Sequence, residues 1–189
     1  QTKITIAAPD FSIDYNSKLM MLGSCFAENM GGKFSYYKFD VDVNPCGIIY
    51  NPLSVANVLR LIMEGKPFGK DDLRKVGEKW VSLYHHGAFS STDPEECLRR
   101  INERLERATR ELRSLDLLVI TWGTAWVYKH VGENMVVSNC HKIPSQEFER
   151  SRLSVEDIVK EYVELIGRLR EINPGLRVLF TVSPIRHWK

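Results

Sequence analysis

The run from residue 115 to residue 121 constrains the fold of this chain most strongly. It reads LDLLVIT and follows a helical pattern that begins near residue 94, with apolar residues at spacings of three and four. Such a nearly continuous apolar run is typical of a central parallel strand that helices cover on both faces. The strand would deliver residues 122–124, Trp-Gly-Thr, to the carboxyl edge of a sheet, where open α/β sheets bind their ligands.

Other strands and helices alternate along the chain. Strands are predicted over residues 18–22, 39–43 and 177–182, and helices are predicted to begin after residue 24, at residue 52 and near residue 155. A short strand or extended arm over residues 3–7 has no assigned function. The alternation predicts a doubly wound parallel sheet in a single domain of 189 residues. Two excursions interrupt it, a long loop over residues 65–92 and a β-hairpin over residues 126–139.

The stretch from Leu19 to Phe26 places reactive side chains at the end of a strand. Its sequence, LMMLGSCF, runs from an apolar strand through a Gly-Ser turn into a helix. The Ser24 hydroxyl would lie near the amides at the start of that helix, which favour the negative charge that develops on a nucleophile. Cys25 is either an alternative nucleophile, because the same field activates a thiolate, or a buried and inert side chain behind the turn.

Composition argues against several classes of function. The chain has 26 basic and 24 acidic residues, and its net charge of +2 is too small for nucleic acid or a membrane surface to be the main partner. Four scattered cysteines form no Cys-x-x-Cys pair, and we expect no metal and no cofactor. The apolar runs are too short to span a bilayer, and the residues from Gln1 onward show no basic segment followed by an apolar run, although a signal could have been removed before Gln1. The scattered thiols fit a reducing compartment, so we expect a cytoplasmic protein. We interpret the adjacent His85 and His86 as surface polar residues rather than ligands.

Five strings occur in order between residues 23 and 187. They are GSCFAEN at 23–29, NPCGIIYNPLS at 44–54, TWGTAWVY at 121–128, NCHKIP at 139–144 and TVSPIRH at 181–187. Together they resemble the GSCFA domain family, a branch of the SGNH/GDSL hydrolase superfamily. Because the strings are spread along the chain, the resemblance covers nearly all of it.

The resemblance implies a fold, a reaction and part of a site. The implied fold is a flavodoxin-like three-layer α/β/α sandwich with a parallel sheet, as in SGNH hydrolases. The implied activity is that of a serine-dependent esterase or acyl hydrolase with Ser24 as its nucleophile, acting on a small-molecule or carbohydrate-linked ester. Gly47 matches the superfamily glycine whose amide contributes to the oxyanion hole, and Gly123 lies in the next oxyanion block.

The chain departs from the superfamily pattern at two places. Ala125 stands where the superfamily has an asparagine that donates to the oxyanion, so the candidate replacements are Thr124, an amide near Gly123, and Asn139. Asn139 is equally interpreted as a turn residue. The Asp-x-x-His segment that supplies the superfamily's base is also absent, so we expect the sandwich to lack its C-terminal strand and helix.

Three further residues of these strings are assigned to the site. His187 would organise the site or contact substrate and is the alternative base, and Arg186 would bind an anionic group. His141 is a candidate for the same roles as His187, with a structural role favoured. Two other interpretations stay open, namely a non-catalytic ligand-binding or scaffold domain that retains the fold, and a fragment of a longer protein. The sequence does not determine the oligomeric state.

Overall fold

The computed structural model describes residues 10–184. The strands are β1 (Lys18–Gly23), β2 (Asp40–Val43), β3 (Arg74–Val76), β4 (Lys79–Val81), β5 (Leu117–Trp122), β6 (Trp126–His130), β7 (Met135–Val136), β8 (Phe148–Arg152) and β9 (Arg177–Val182). The helices are α1 (Cys25–Tyr36), α2 (Pro52–Glu64), α3 (Pro94–Leu112) and α4 (Val155–Ile172). The predicted strands and helix starts agree with these bounds to within two residues. The arm predicted over residues 3–7, Arg186 and His187 lie outside the described residues.

The central sheet is parallel and has the strand order β2-β1-β5-β9. The chain moves outward from β1 to β2 and then returns to the opposite side of β1 through β5, so the order reverses between β1 and β5. Ligands of open α/β sheets bind at such a reversal, beyond the carboxyl ends of the strands. The order matches the first four positions of the flavodoxin-like arrangement and confirms the predicted doubly wound parallel sheet. The predicted lack of a C-terminal strand and helix stays a prediction.

Helices cover both faces of the sheet and make three layers. Alternate residues of β1 and β5 face opposite sides because side chains along a strand alternate. One side consists of Met20, Leu22, Leu118 and Ile120, and the other of Leu19, Met21, Leu117 and Val119. The first side packs against α2, α3 and α4, and the second packs against α1. The predicted α/β/α sandwich is therefore confirmed.

Capping side chains set where α2 and α4 begin. Asn51 precedes Pro52 and its Oδ1 accepts a hydrogen bond from the Ser54 amide at 2.8 Å, which caps α2. At α4, Ser154 and Asp157 form a capping box, in which each side chain accepts from the other residue's amide. Both helices begin within one residue of the starts that the sequence pattern predicted, at residue 52 and near residue 155.

The two excursions contain small antiparallel sheets. Within residues 65–92, β3 pairs with β4, and Arg74 lies opposite Val81. The later excursion contains the predicted hairpin as β6 and β7, and β8 pairs with the other side of β6. The sequence did not predict β8, because four of its five residues are exposed and its FERSR sequence shows no apolar alternation. Among residues 10–184, no helix combines the length and the apolar character that crossing a bilayer requires.

Candidate active site

The Ser24 turn is built where β1 touches β5. Gly23 has φ +126°, and a Cβ added there would lie 2.0 Å from the Thr121 carbonyl oxygen, so only glycine fits without separating the strands. The Ser24 amide then donates to the Thr121 carbonyl at 3.1 Å and to Thr121 Oγ1 at 2.9 Å. These contacts join residues 97 positions apart and set the direction of the Ser24 side chain.

The Ser24 hydroxyl lies at the N-terminus of α1. It accepts a hydrogen bond from the Phe26 amide at 3.3 Å as the N-cap of the helix, and it lies 3.0 Å from Thr121 Oγ1. Ser24 is only 6% exposed, yet it forms part of the wall of a cavity. Its position at the strand end and helix start is the one predicted for a nucleophile.

The loop after β2 is fastened to the end of β1. Asn44, in the left-handed region with φ 44°, accepts from the Gly23 amide through Oδ1 at 2.9 Å. Its side-chain nitrogen donates to Glu28 of α1, also at 2.9 Å, and the Ile49 amide donates to the Gly23 carbonyl at 2.8 Å. The loop is thus held beside Ser24 by both the strand and the helix.

Gly47 lies in this loop and packs against His86. Its φ is +83°, and a Cβ added there would lie 2.3 Å from the His86 Cβ. The Gly47 amide, predicted to face an oxyanion, donates to the Asn44 carbonyl at 2.7 Å. In this structure the Gly47 amide is therefore engaged in a hydrogen bond within its own loop.

The predicted donors after β5 are also engaged. The amides of Gly123 and Thr124 both donate to the Tyr50 carbonyl, at 2.8 Å and 3.1 Å, and Thr124 Oγ1 accepts from the Trp126 amide at 3.1 Å. An oxyanion at these amides would have to displace the Tyr50 carbonyl. Their role stays a prediction, and it requires these bonds to exchange when substrate binds.

Cys25 and Tyr50 flank the Ser24 hydroxyl. Cys25 is exposed, so the interpretation as a buried side chain is wrong: the first residue of α1 turns its thiol toward the cavity and not behind the turn. Partial burial, together with the neighbouring Cys25 thiol, raises the pKa of Tyr50 above its ordinary value. Sequence reasoning assigned no role to Tyr50 or Thr121, although both lie in family-like strings.

A cavity of about 420 Å3 opens beside Ser24. The residues that line it include Cys25, Phe26, Tyr50, Trp122, Val182 and Pro184. No described residue of its wall carries a charged side chain. A second cavity, of about 650 Å3, lies between α4 and β9 and shares Trp122 and Gly123 with the first.

The histidines within residues 10–184 do not hydrogen-bond to Ser24. His141 Nε2 lies 2.8 Å from the Ser82 carbonyl, and burial lowers the pKa of His141. Asn139 accepts from the His141 amide at 2.8 Å through its side chain, which is the geometry of an Asx turn. That geometry fits the interpretation of Asn139 as a turn residue.

The surface interpretation of His85 is wrong. His85 is only 1% exposed, its Nδ1 lies 2.9 Å from Ser82 Oγ, and its ring packs against Phe68 and Phe89 at centroid distances of 5.1 and 5.2 Å. Burial lowers its pKa to about 3, so the ring is neutral at ordinary pH. His86 is partly exposed and lies over Gly47. Within the described residues, no group of three or more histidine, cysteine or acidic side chains is placed to hold a metal ion.

Comparison with known proteins assigns a family. The GSCFA family model matches residues 18–189, and the chain therefore belongs to the GSCFA family. No curated protein and no solved structure matches the chain.

Proposed function

We propose that this member of the GSCFA family is a serine-dependent acyl hydrolase of the SGNH type that acts on esters, with Ser24 as its nucleophile. One observation carries the proposal. Ser24 lies where the strand order reverses, at the N-terminus of a 12-residue helix, and its hydroxyl borders a cavity large enough for a small ligand. A structural serine in a plain turn needs neither the cavity nor the switch point.

The proposed reaction is acyl transfer in two steps. Ser24 Oγ attacks the ester carbonyl carbon, the alcohol leaves with the proton that the serine gives up, and an acyl-serine remains. Water then attacks the acyl-serine and releases the carboxylic acid, and the proton returns to Ser24. The N-terminal amides of α1 stabilise the negative charge that develops near Ser24.

The proton from Ser24 requires a base. Thr121 Oγ1 lies 3.0 Å from Ser24 Oγ, but a threonine hydroxyl is too weakly basic for this task. We therefore place the base outside residues 10–184, with His187 as its candidate within the chain. The substrate is a small-molecule or carbohydrate-linked ester, and we further propose a cytoplasmic location.

The test is covalent labelling with a fluorophosphonate probe, read by intact mass. Attack by an activated serine displaces fluoride and leaves a phosphonylated serine. We expect one adduct on the natural chain, loss of the adduct in Ser24→Ala, and an unchanged adduct in Ser82→Ala. Ser82 is a matched control because it also hydrogen-bonds but is buried, 2% exposed, away from the cavity. An adduct that survives Ser24→Ala contradicts the proposal.

A parallel variant, His187→Gln, tests the base. Loss of labelling in a protein whose unfolding transition is unchanged supports His187 as the base. Retained labelling assigns the proton to another group.

A second candidate function is a ligand-binding or scaffold domain without turnover. The observation that favours it is that the amides of Gly47, Gly123 and Thr124 all donate to protein carbonyls. Absence of an adduct on the natural chain, with ligand binding intact, would move the assignment to this second function.

A further inference from the structure

The cavity beside Ser24 has the chemical character of an acyl-binding pocket. We propose that it binds the acyl part of the substrate and selects an uncharged apolar or aromatic acyl group larger than acetyl. The inference rests on the proposed function, since the pocket holds an acyl group only if Ser24 attacks the carbonyl.

The described walls of the cavity disfavour charged acyl groups. Phe26, Tyr50 and Trp122 present aromatic carbon, Val182 and Pro184 present aliphatic carbon, and none of the described wall residues is charged. A carboxylate or phosphate on the acyl group would lose water there without gaining a partner of opposite charge among the wall residues that the structure describes. A sugar ring would face mostly aromatic and aliphatic carbon, so many of its hydroxyls would lose water without gaining a hydrogen bond.

The size of the pocket argues against acetyl. A volume of about 420 Å3 lies within the range of small-molecule sites, and an acetyl group would leave most of it to water. A longer chain or a phenyl ring replaces that water with apolar contact. Each buried methylene raises affinity about fourfold.

The Tyr50 wall is held in place before ligand arrives. A Cβ added at Gly123 would meet Tyr50 Cδ1 at 2.9 Å, so the ring lies directly over the glycine. The Tyr50 carbonyl accepts from Gly123 and Thr124, and Tyr50 lines the same cavity as Cys25 at the start of α1. Because the wall bridges the loop after β2 and the helix, ordering it costs little on binding.

The test uses neutral amides and the Ser24→Ala chain, which binds without turnover. Hexanamide and acetamide are titrated by NMR, with the amide resonances of Tyr50 and Gly123 as reporters. We expect hexanamide to bind at least about tenfold more tightly than acetamide, because it adds four methylenes. Equal binding of the two amides overturns the inference.

A charge introduced into the pocket tests whether hexanamide binds there. Phe26→Glu should lower the affinity for hexanamide at least about tenfold, because the carboxylate is tolerated in the first turn of α1 but disfavours apolar ligand. Asn29→Glu adds the same charge on an exposed turn of the same helix, outside the pocket, and should change the affinity less than about twofold. A hexanamide preference that survives Phe26→Glu, with shifts at Val159 and Val163 instead, places the ligand in the cavity between α4 and β9 and overturns the inference.

Fluorophosphonate labelling separates this inference from the proposed function. If Ser24 is labelled but hexanamide is not preferred, the proposed hydrolase function is supported and the proposed acyl-binding pocket is contradicted. A hexanamide preference without labelling removes both the hydrolase and the acyl assignment, and supports the ligand-binding domain.

Discussion

Two serines have opposite surroundings: Ser24 at the carboxyl end of the central sheet, and Ser82 after β4 in the excursion over residues 65–92. Ser82 Oγ lies 2.9 Å from a histidine nitrogen, that of His85, which is the contact expected between a nucleophile and its base. Ser24 has no histidine partner among the described residues, but it lies at the N-terminus of α1 and borders a cavity. By hydrogen bonding alone, Ser82 would be chosen as the nucleophile.

Burial decides between them. Ser82 and His85 are 2% and 1% exposed, and a pKa of about 3 leaves the His85 ring too weak a base at neutral pH. The Ser82–His85 pair is therefore a structural contact that satisfies polar atoms inside an aromatic cluster. A serine-histidine hydrogen bond identifies a catalytic pair only when substrate can reach it.

The largest expected effect concerns the backbone beneath Ser24. Gly23→Ala should lower the free energy of unfolding by at least about 4 kcal/mol, because its Cβ would lie 2.0 Å from the Thr121 carbonyl and φ is +126°. Gly32→Ala in α1 is the control, since nothing lies within 4 Å of its added Cβ, and it should stabilise the protein by about 1 kcal/mol. Urea unfolding measures both. If Gly23→Ala left the free energy of unfolding unchanged, the prediction would be wrong, because β1 and β5 would then separate at little energetic cost.

The next effect concerns the buried histidine. His85→Ala should cost about 2–4 kcal/mol of unfolding free energy, because it removes a packed ring and the partner of Ser82. His86→Ala, on the partly exposed neighbour, should cost less than about 1 kcal/mol. Similar costs at the two positions would contradict the assignment of only His85 to the core.

The burial of His85 should also make the free energy of unfolding depend on pH. The folded pKa of His85 is about 3, below the unfolded value of about 6.5, so acid protonates the unfolded chain first. The stabilisation is complete above pH ~6.5 and is lost as pH falls toward 3, by on the order of 2 kcal/mol between pH 7 and pH 5. His141, whose pKa is also lowered, acts in the same direction.

Urea unfolding at several pH values checks this dependence. His85→Phe, which keeps a ring in the cluster, should flatten the slope between pH 7 and pH 5, whereas His86→Ala should leave it unchanged. Because His141 also contributes, part of the slope should remain in His85→Phe, and a slope of undiminished size would assign the proton uptake to groups other than His85.

The smallest effect compares single hydroxyl contacts at the two serines. Thr121→Val removes the Oγ1 that accepts from the Ser24 amide, and Ser82→Ala removes the hydroxyl partner of His85. Each should cost about 1 kcal/mol of unfolding free energy. Only Thr121→Val should also change the rate of fluorophosphonate labelling, since Thr121 touches the proposed nucleophile. An equal change in labelling rate in Ser82→Ala would contradict the conclusion that the Ser82–His85 pair is only a structural contact.

The layered fold was predictable because its signals are local. Apolar runs, caps and turn residues recur within about ten positions, so β5, α2 and α4 were all predicted near their observed bounds. β8 was missed because its exposed FERSR sequence pairs with β6 without any apolar alternation. Its pairing depends on the backbone of another strand, which a local pattern does not report.

The candidate site was predictable only in part. Ser24 could be placed at a strand end from its neighbours alone, and the family strings marked Gly47 and Gly123. The burial of His85 depends on Phe68, 17 positions earlier in the chain, and on Phe89 across the 3-10 turn that follows it. Adjacent histidines in a polar stretch give no local sign of such packing.

The sequence by itself determined the order of strands and helices, the family, and the place of Ser24 between β1 and α1. Only the tertiary structure decided that Ser24 faces a cavity while Ser82 is enclosed, and that the Tyr50 carbonyl occupies the Gly123 and Thr124 amides. The reason is physical. Periodicity and turn chemistry act between near neighbours, whereas the contact of Ser24 with Thr121 spans 97 positions and exists only when β1 and β5 lie side by side.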